Sequence, residues 1–113
     1  MIEKIILDYL SLELTVPVYM EVPEGRPDET FVVIEKTGGG RVNHIDSATL
    51  AIQSYAPSMY GAAALNEEVK AAMENAITLD SISRSVLNSD YNYTDTTSKH
   101  YRYQAVFDVI FYD

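Results

Sequence analysis

The last stretch of the chain constrains its fold most. From Tyr101 to Tyr112 two sets of side chains alternate without a break. Tyr101, Tyr103, Ala105, Phe107, Val109 and Phe111 fall on one side; Arg102, Gln104, Val106, Asp108, Ile110 and Tyr112 fall on the other. A period of two is the repeat of a β-strand, whose successive side chains point to opposite faces. One strand cannot hide an apolar face by itself. It needs partner strands and a second layer, and the rest of the chain has to supply both.

At 113 residues the chain has the size of one domain, spanning 1–113. An apolar share of 47% and a charged share of 22% suit a folded globule rather than a disordered one. Lys plus Arg is 8 and Asp plus Glu is 17, a net charge of −9. Binding DNA or RNA by neutralising phosphates needs clustered basic residues, and those here are few and scattered. An anionic membrane surface is disfavoured for the same reason. The absence of cysteine excludes a disulfide framework, a thiolate zinc site and a cysteine nucleophile. No apolar run approaches the ~20 residues that span a bilayer, and Met1–Leu10 lacks the pattern of a signal peptide. The expectation is a soluble protein made in a cytoplasm, with no membrane partner and no cofactor.

Two helices are expected. Ile2, Ile5, Ile6, Tyr9 and Leu10 hold helical spacing over residues 2–14. With Leu7 and Leu12 the apolar arc is about 220° wide, against the roughly 100° that one buried face needs. Either the helix is sunk deeply into its own fold, or part of the arc meets another subunit. In the second helix Ser58 is the expected N-cap. Ala62, Leu65, Val69, Ala72, Met73 and Ala76 form its buried stripe, and Asn66, Glu67, Lys70 and Glu74 lie mostly opposite. Lys70 is spaced to pair with Glu67 and Glu74.

Strands are expected over Val16–Val22, at an edge because of Pro17 and Pro23, and at Phe31–Ile34, a β-branched run ending at Gly38-Gly39-Gly40. Others fall at residues 48–55, at Ser81–Asn88 and at the terminal run. Residues 38–47 read as the long, flexible tip of an antiparallel hairpin, and residues 88–100 as a polar loop bearing tyrosines. The order is α-β-β-β-α-β-β. This is an α+β fold, with two helices packed on a mostly antiparallel sheet.

No set of residues makes an active site. Gly38-Gly39-Gly40-Arg41 lacks the following Gly-Lys-Ser/Thr and the helix that a phosphate loop requires. His44 and His100 sit in polar stretches without a second histidine at ligand spacing. The carboxylate pairs Asp28-Glu29 and Glu67-Glu68 read as solvated, and Glu21 and Glu35 would approach only if their strands pair. The tyrosines say more. Of nine, Tyr91, Tyr93, Tyr101 and Tyr103 cluster late in the chain. An amphipathic ring that buries area while its hydroxyl stays bonded suits a protein interface.

Several segments, taken in order, resemble the tail terminator (tail-to-head joining) proteins of long-tailed bacteriophages. They are Val16-Pro17-Val18-Tyr19-Met20-Glu21-Val22-Pro23, Arg26-Pro27, and Phe31-Val32-Val33-Ile34-Glu35-Lys36-Thr37-Gly38-Gly39-Gly40-Arg41. Leu50 to Pro57, the Ala-rich stretch Ala62 to Met73, Tyr91-Asn92-Tyr93 and Tyr101 to Phe107 continue the series. The resemblance covers roughly residues 16–112. It implies a non-enzymatic virion protein, assembled in the host cytoplasm, that forms a hexameric ring at the head-proximal end of the tail. Such a ring caps the tail tube, stops its polymerisation and joins the head connector. DNA only passes through its lumen, where acidity would let it slide without sticking. The residues expected to contact a neighbouring subunit, the tube or the connector are Gly38, Gly39, Gly40, Arg41, His44, Tyr91, Tyr93, Lys99 and Tyr101. Two other readings remain open at this point. One is a small-molecule-binding or enzymatic α+β dimer; the other is a head-completion connector ring.

Overall fold

The computed structural model describes residues 1–25, 29–95, 97 and 100–112. The elements follow the expected order: α1 (Ile2–Glu13), β1 (Val18–Tyr19), β2 (Phe31–Val42), β3 (Ile45–Ala56), α2 (Met59–Glu74), β4 (Ile82–Asn92) and β5 (Tyr101–Phe111). A short 3₁₀ turn, Asn75–Thr78, continues from α2. The strands form one sheet in the order β1-β2-β3-β5-β4. Every pairing is antiparallel except β1 with β2. The terminal run β5 therefore sits between β3 and β4, which explains why both of its faces are so regularly patterned.

Both helices lie on one face. β5 contributes Ala105, Phe107, Val109 and Phe111 to that core, β3 contributes Leu50 and Ile52, and β2 contributes Val32 and Ile34. From above they meet Ile2, Ile6 and Leu10 of α1 and Leu65, Val69 and Met73 of α2. Each such side chain stabilises the fold by about 1.5–3 kcal/mol relative to exposure. The Tyr9 hydroxyl donates to the Ala72 carbonyl at 2.7 Å and ties the two helices together. Burial, with Glu13 adding to it, raises the pKa of that phenol above its ordinary value. The wide apolar arc of α1 is mostly used inside the chain: Ile5, Leu7 and Leu14 pack against the core, and Leu12 stands out, 88% exposed.

Ser58 caps α2, its side chain accepting from the Gly61 amide at 3.0 Å. Lys70 pairs with Glu67 at 3.1 Å, and its second carboxylate is Asp90 of β4 at 2.7 Å, where helical spacing had pointed to Glu74. Asn66, expected on the wet side, is buried at 2% exposure. The bare Ala-rich stripe lets α2 sink close enough to the sheet to cover its flank.

Four strands differ in extent from expectation, β3 among them, which starts at Ile45 rather than at residue 48. β1 is only Val18–Tyr19, because Pro17 and Pro23 leave few amides for a ladder. β2 runs on through Gly38, Gly39 and Gly40 to Val42, pairing with β3 as far as Val42↔Ile45. The glycines are thus strand residues, and the tip is only Asn43-His44. Both residues have positive φ, 51° and 66°, as a tight mirror-image hairpin turn requires. β4 continues through Asn88–Asn92, pairing Tyr91 with Gln104 and Asn92 with Tyr103. These residues read as loop in the sequence because they are polar on both sides of the strand: Ser89 and Tyr91 lie on the face opposite the helices, while Asp90 and Asn92 lie on the helix side, Asp90 bonded to Lys70 of α2.

Candidate functional site

The face of the sheet opposite the helices carries the side chains of β2, β3, β5 and β4 in transverse rows. The register sets Phe31 beside Tyr55 and Tyr55 beside Arg102. The next row is Val33, Gln53, Gln104 and Tyr91, and the one after it Glu35, Ala51, Val106 and Ser89.

The first row builds a belt across the whole width of the sheet. Tyr19 of β1 meets Phe31 edge-on, with ring centroids 6.0 Å apart. Phe31 stacks on Tyr55 at 4.6 Å. The Tyr55 hydroxyl accepts from Arg102 Nη1 at 2.8 Å. The Arg102 guanidinium lies 4.4 Å from the centre of the Tyr93 ring, and Tyr93 meets Tyr91 edge-on at 5.8 Å. Arg102 is held further by its Nε, which donates to the Tyr93 carbonyl at 2.6 Å. Each aromatic pair adds about 0.5–1.5 kcal/mol beyond the area it buries, and the cation over a ring adds about 0.5–2 kcal/mol.

The second row is a polar chain. Gln53 Nε2 donates to Gln104 Oε1 at 2.9 Å and reaches Glu35 Oε2 at 3.4 Å. Gln104 Nε2 donates to the Tyr91 hydroxyl, and the Tyr55 hydroxyl donates to Gln53 Oε1 at 3.2 Å. Gln53 and Gln104 are each only 8% exposed, because the belt and its neighbours shield them. These hydrogen bonds fix the rotamers of the row. Phe31, Val33 and Tyr55 form a small second core on this face, and the belt reaches water through Tyr91 and Tyr93, 41% and 44% exposed.

The residues singled out in the sequence fall at two ends of the sheet. Tyr91 and Tyr93 belong to the belt. Gly38, Gly39, Gly40, Arg41 and His44 belong to the hairpin at the far end, some nine residues or ~30 Å along β5. Tyr101 pairs with Ala56 and points to the helix side, away from the belt. Lys99 lies outside the described residues. Tyr19, Phe31, Tyr55, Arg102, Gln53 and Gln104 were not singled out. Only the lateral order of strands brings them together, and no spacing along the chain records it.

At the hairpin end, Arg41 Nε lies 3.4 Å from Asp46 Oδ1, with the Arg41 side chain 63% exposed. Val42 and Ile45, the last ladder pair, are 71% and 44% exposed. Gly39 is packed: a Cβ there would meet the Ser47 carbonyl at 3.0 Å. Gly38 and Gly40 have room for a side chain, with nothing nearer than 3.7 Å. Among the described residues no group of three or more His, Asp or Glu is placed to hold a metal ion, and no helix is long and apolar enough to cross a membrane. No protein-family model matches the chain, and no curated protein matches it.

Proposed function

We propose that the chain is a structural protein of the tail terminator kind: a hexameric ring that caps a phage tail tube and presents a surface to the head connector. One observation carries the protein-binding part of this reading. The sheet face opposite the helices bears a preorganised belt of five aromatic rings and one arginine, in which Phe31 and Tyr55 are buried in a small second core while Tyr91 and Tyr93 at the β4 end stay 41% and 44% exposed. Such a surface serves another protein rather than a reaction, because its polar groups are bonded to one another and converge on no vacant point. The ordered resemblance of residues 16–112 supplies the identity of the partners: further copies of the chain, the tail tube protein and the head connector. DNA passes through the lumen without being held.

The test is tube polymerisation in the presence of the purified chain. The expected result is tubes that stop lengthening and carry extra density at one end in electron micrographs. Tubes of unchanged length with bare ends would refute the proposal.

A further inference from the structure

A strand at the edge of a sheet leaves a row of amides and carbonyls without partners, and a folded chain either blunts such an edge or pairs it. Two edges of this sheet are blunted. β1 is two residues long and lies between prolines, and β4 is broken by irregularities between Ile82 and Arg84 and between Leu87 and Ser89. β1 covers β2 only at Val32 and Val33. Past an irregularity between Lys36 and Gly38, β2 then runs from Gly38 to Val42 in unbroken register with β3. Every residue of that run is exposed, and none is proline. Its one charge, Arg41, leans back toward Asp46 of β3 at 3.4 Å, away from the edge.

The hairpin fixes which backbone groups point outward. Val42 and Ile45 close the Asn43-His44 turn, so the Val42 carbonyl and the Ile45 amide face each other. Alternation along an antiparallel ladder turns the groups of Gly40 and Gly38 toward β3 and those of Arg41 and Gly39 outward. Outside the strand ladders, no backbone hydrogen bond among the described residues involves Gly39 or Arg41. A second copy of this edge, run antiparallel, can meet them in three registers. Centred on Arg41, it sets two like charges directly opposite. Centred on Gly39, it draws in Thr37, which the β2–β3 register skips. Centred on Gly40, it pairs Gly39 with Arg41 of the second copy, and Arg41 with its Gly39, each pair exchanging both bonds. That register also sets Val42, 71% exposed, across from bare Gly38, where there is room for a side chain.

We infer that β2 is a pairing edge for a second copy of this chain, joined antiparallel over Gly38–Val42 about a two-fold axis at Gly40. The occupant is a second copy rather than an unrelated strand because the edge is complementary to itself. Its outward donors and acceptors, its bare position and its large one all fall into place under one rotation. The contact is isologous and closes on two copies. It can join two single chains or two rings, and it does not rest on the ring reading. So short a run makes a small interface, and the pairing is weak and favoured by high protein concentration.

The absence of cysteine makes the axis testable. Gly40 meets its own copy as a non-hydrogen-bonded pair with Cα atoms about 4.5 Å apart, within disulfide reach. Gly40→Cys, confirmed folded by circular dichroism, should form disulfide-linked dimers under mild oxidation at least about tenfold faster than Ser47→Cys, exposed on the same face but one strand further from the axis. The backbone is tested separately. Arg41→Pro removes an outward amide and no bond of the β2–β3 ladder. It should weaken dimerisation in sedimentation about tenfold, while Arg41→Ala, which keeps the amide, should stay within about threefold of the wild type. Equal oxidation rates for Gly40→Cys and Ser47→Cys, or equal dimerisation of Arg41→Pro and Arg41→Ala, overturn the pairing. Rings that form in the wild type while Gly40→Cys stays unlinked overturn the pairing and leave the ring reading intact; linked dimers without rings do the reverse.

Discussion

Removing one glutamine from the open face should cost more than removing the second after it. Gln104→Met keeps side-chain volume and deletes two bonds. Tyr91, 41% exposed, turns its hydroxyl to water, so the loss falls on buried Gln53, whose Nε2 keeps only the 3.4 Å contact with Glu35. Leaving one buried donor poorly paired costs about 1–2 kcal/mol. Gln53→Met leaves the Gln104 carbonyl without a donor and the Tyr55 hydroxyl, which still accepts from Arg102, without an acceptor for its proton, at about 2–3 kcal/mol. In the double variant neither glutamine remains to be orphaned. Its cost should fall below the sum of the singles by about 1 kcal/mol. Urea titrations of the four proteins measure this directly, since slopes of about 1–3 kcal/mol per molar make such differences visible in the midpoint. Costs that add within about 0.5 kcal/mol would mean the two side chains share no bond of consequence, and the account of a locked polar row would fail.

Three further outcomes are expected. Ser58→Ala should lower stability by about 1 kcal/mol through loss of the bond to the Gly61 amide, read as a lower urea midpoint; no change would mean the cap is not formed. His44→Gly should raise stability by about 0.5 kcal/mol, the relief of positive φ exceeding the entropy that glycine loses; a loss would show that the turn is not held at positive φ. Stability should fall at alkaline pH. Asp90 first, and then Glu67, raise the pKa of Lys70 against the opposing effect of burial, and desolvation raises that of Tyr9. Groups raised on folding contribute fully below their unfolded values, about 10 for both, and that contribution is lost as pH climbs through the folded values. Thermal melts of a Lys70→Met, Tyr9→Phe double variant should decline less between neutral pH and pH ~11 than the wild type.

The helices and β5 were legible because each follows one clean period, and Ser58 stands where a cap is needed. The β2–β3 hairpin was misread at its tip. Three glycines in a row argue against a strand, and Asn43-His44 lacks the Asn-Gly pair that marks a two-residue turn. The far half of β4 was hidden for another reason: it is polar on both sides of the strand, with Ser89 opposite the helices and Asp90 and Asn92 on the helix side. Asn66 was placed outside by its polarity, yet packing buries it. The belt was half visible as a cluster of tyrosines near 91–103. Its other members, Tyr19, Phe31, Tyr55 and Arg102, come from four strands, and only the order β1-β2-β3-β5-β4 sets them side by side.

The central claim is that this chain works as a closed ring of identical copies. Electron microscopy of the pure protein at high concentration and low salt, with its mass measured by light scattering on the same sample, tests that claim most directly. The account predicts annular particles with six-fold symmetry and an open centre. A single compact monomer under every condition, including in the presence of tail tubes, would contradict it.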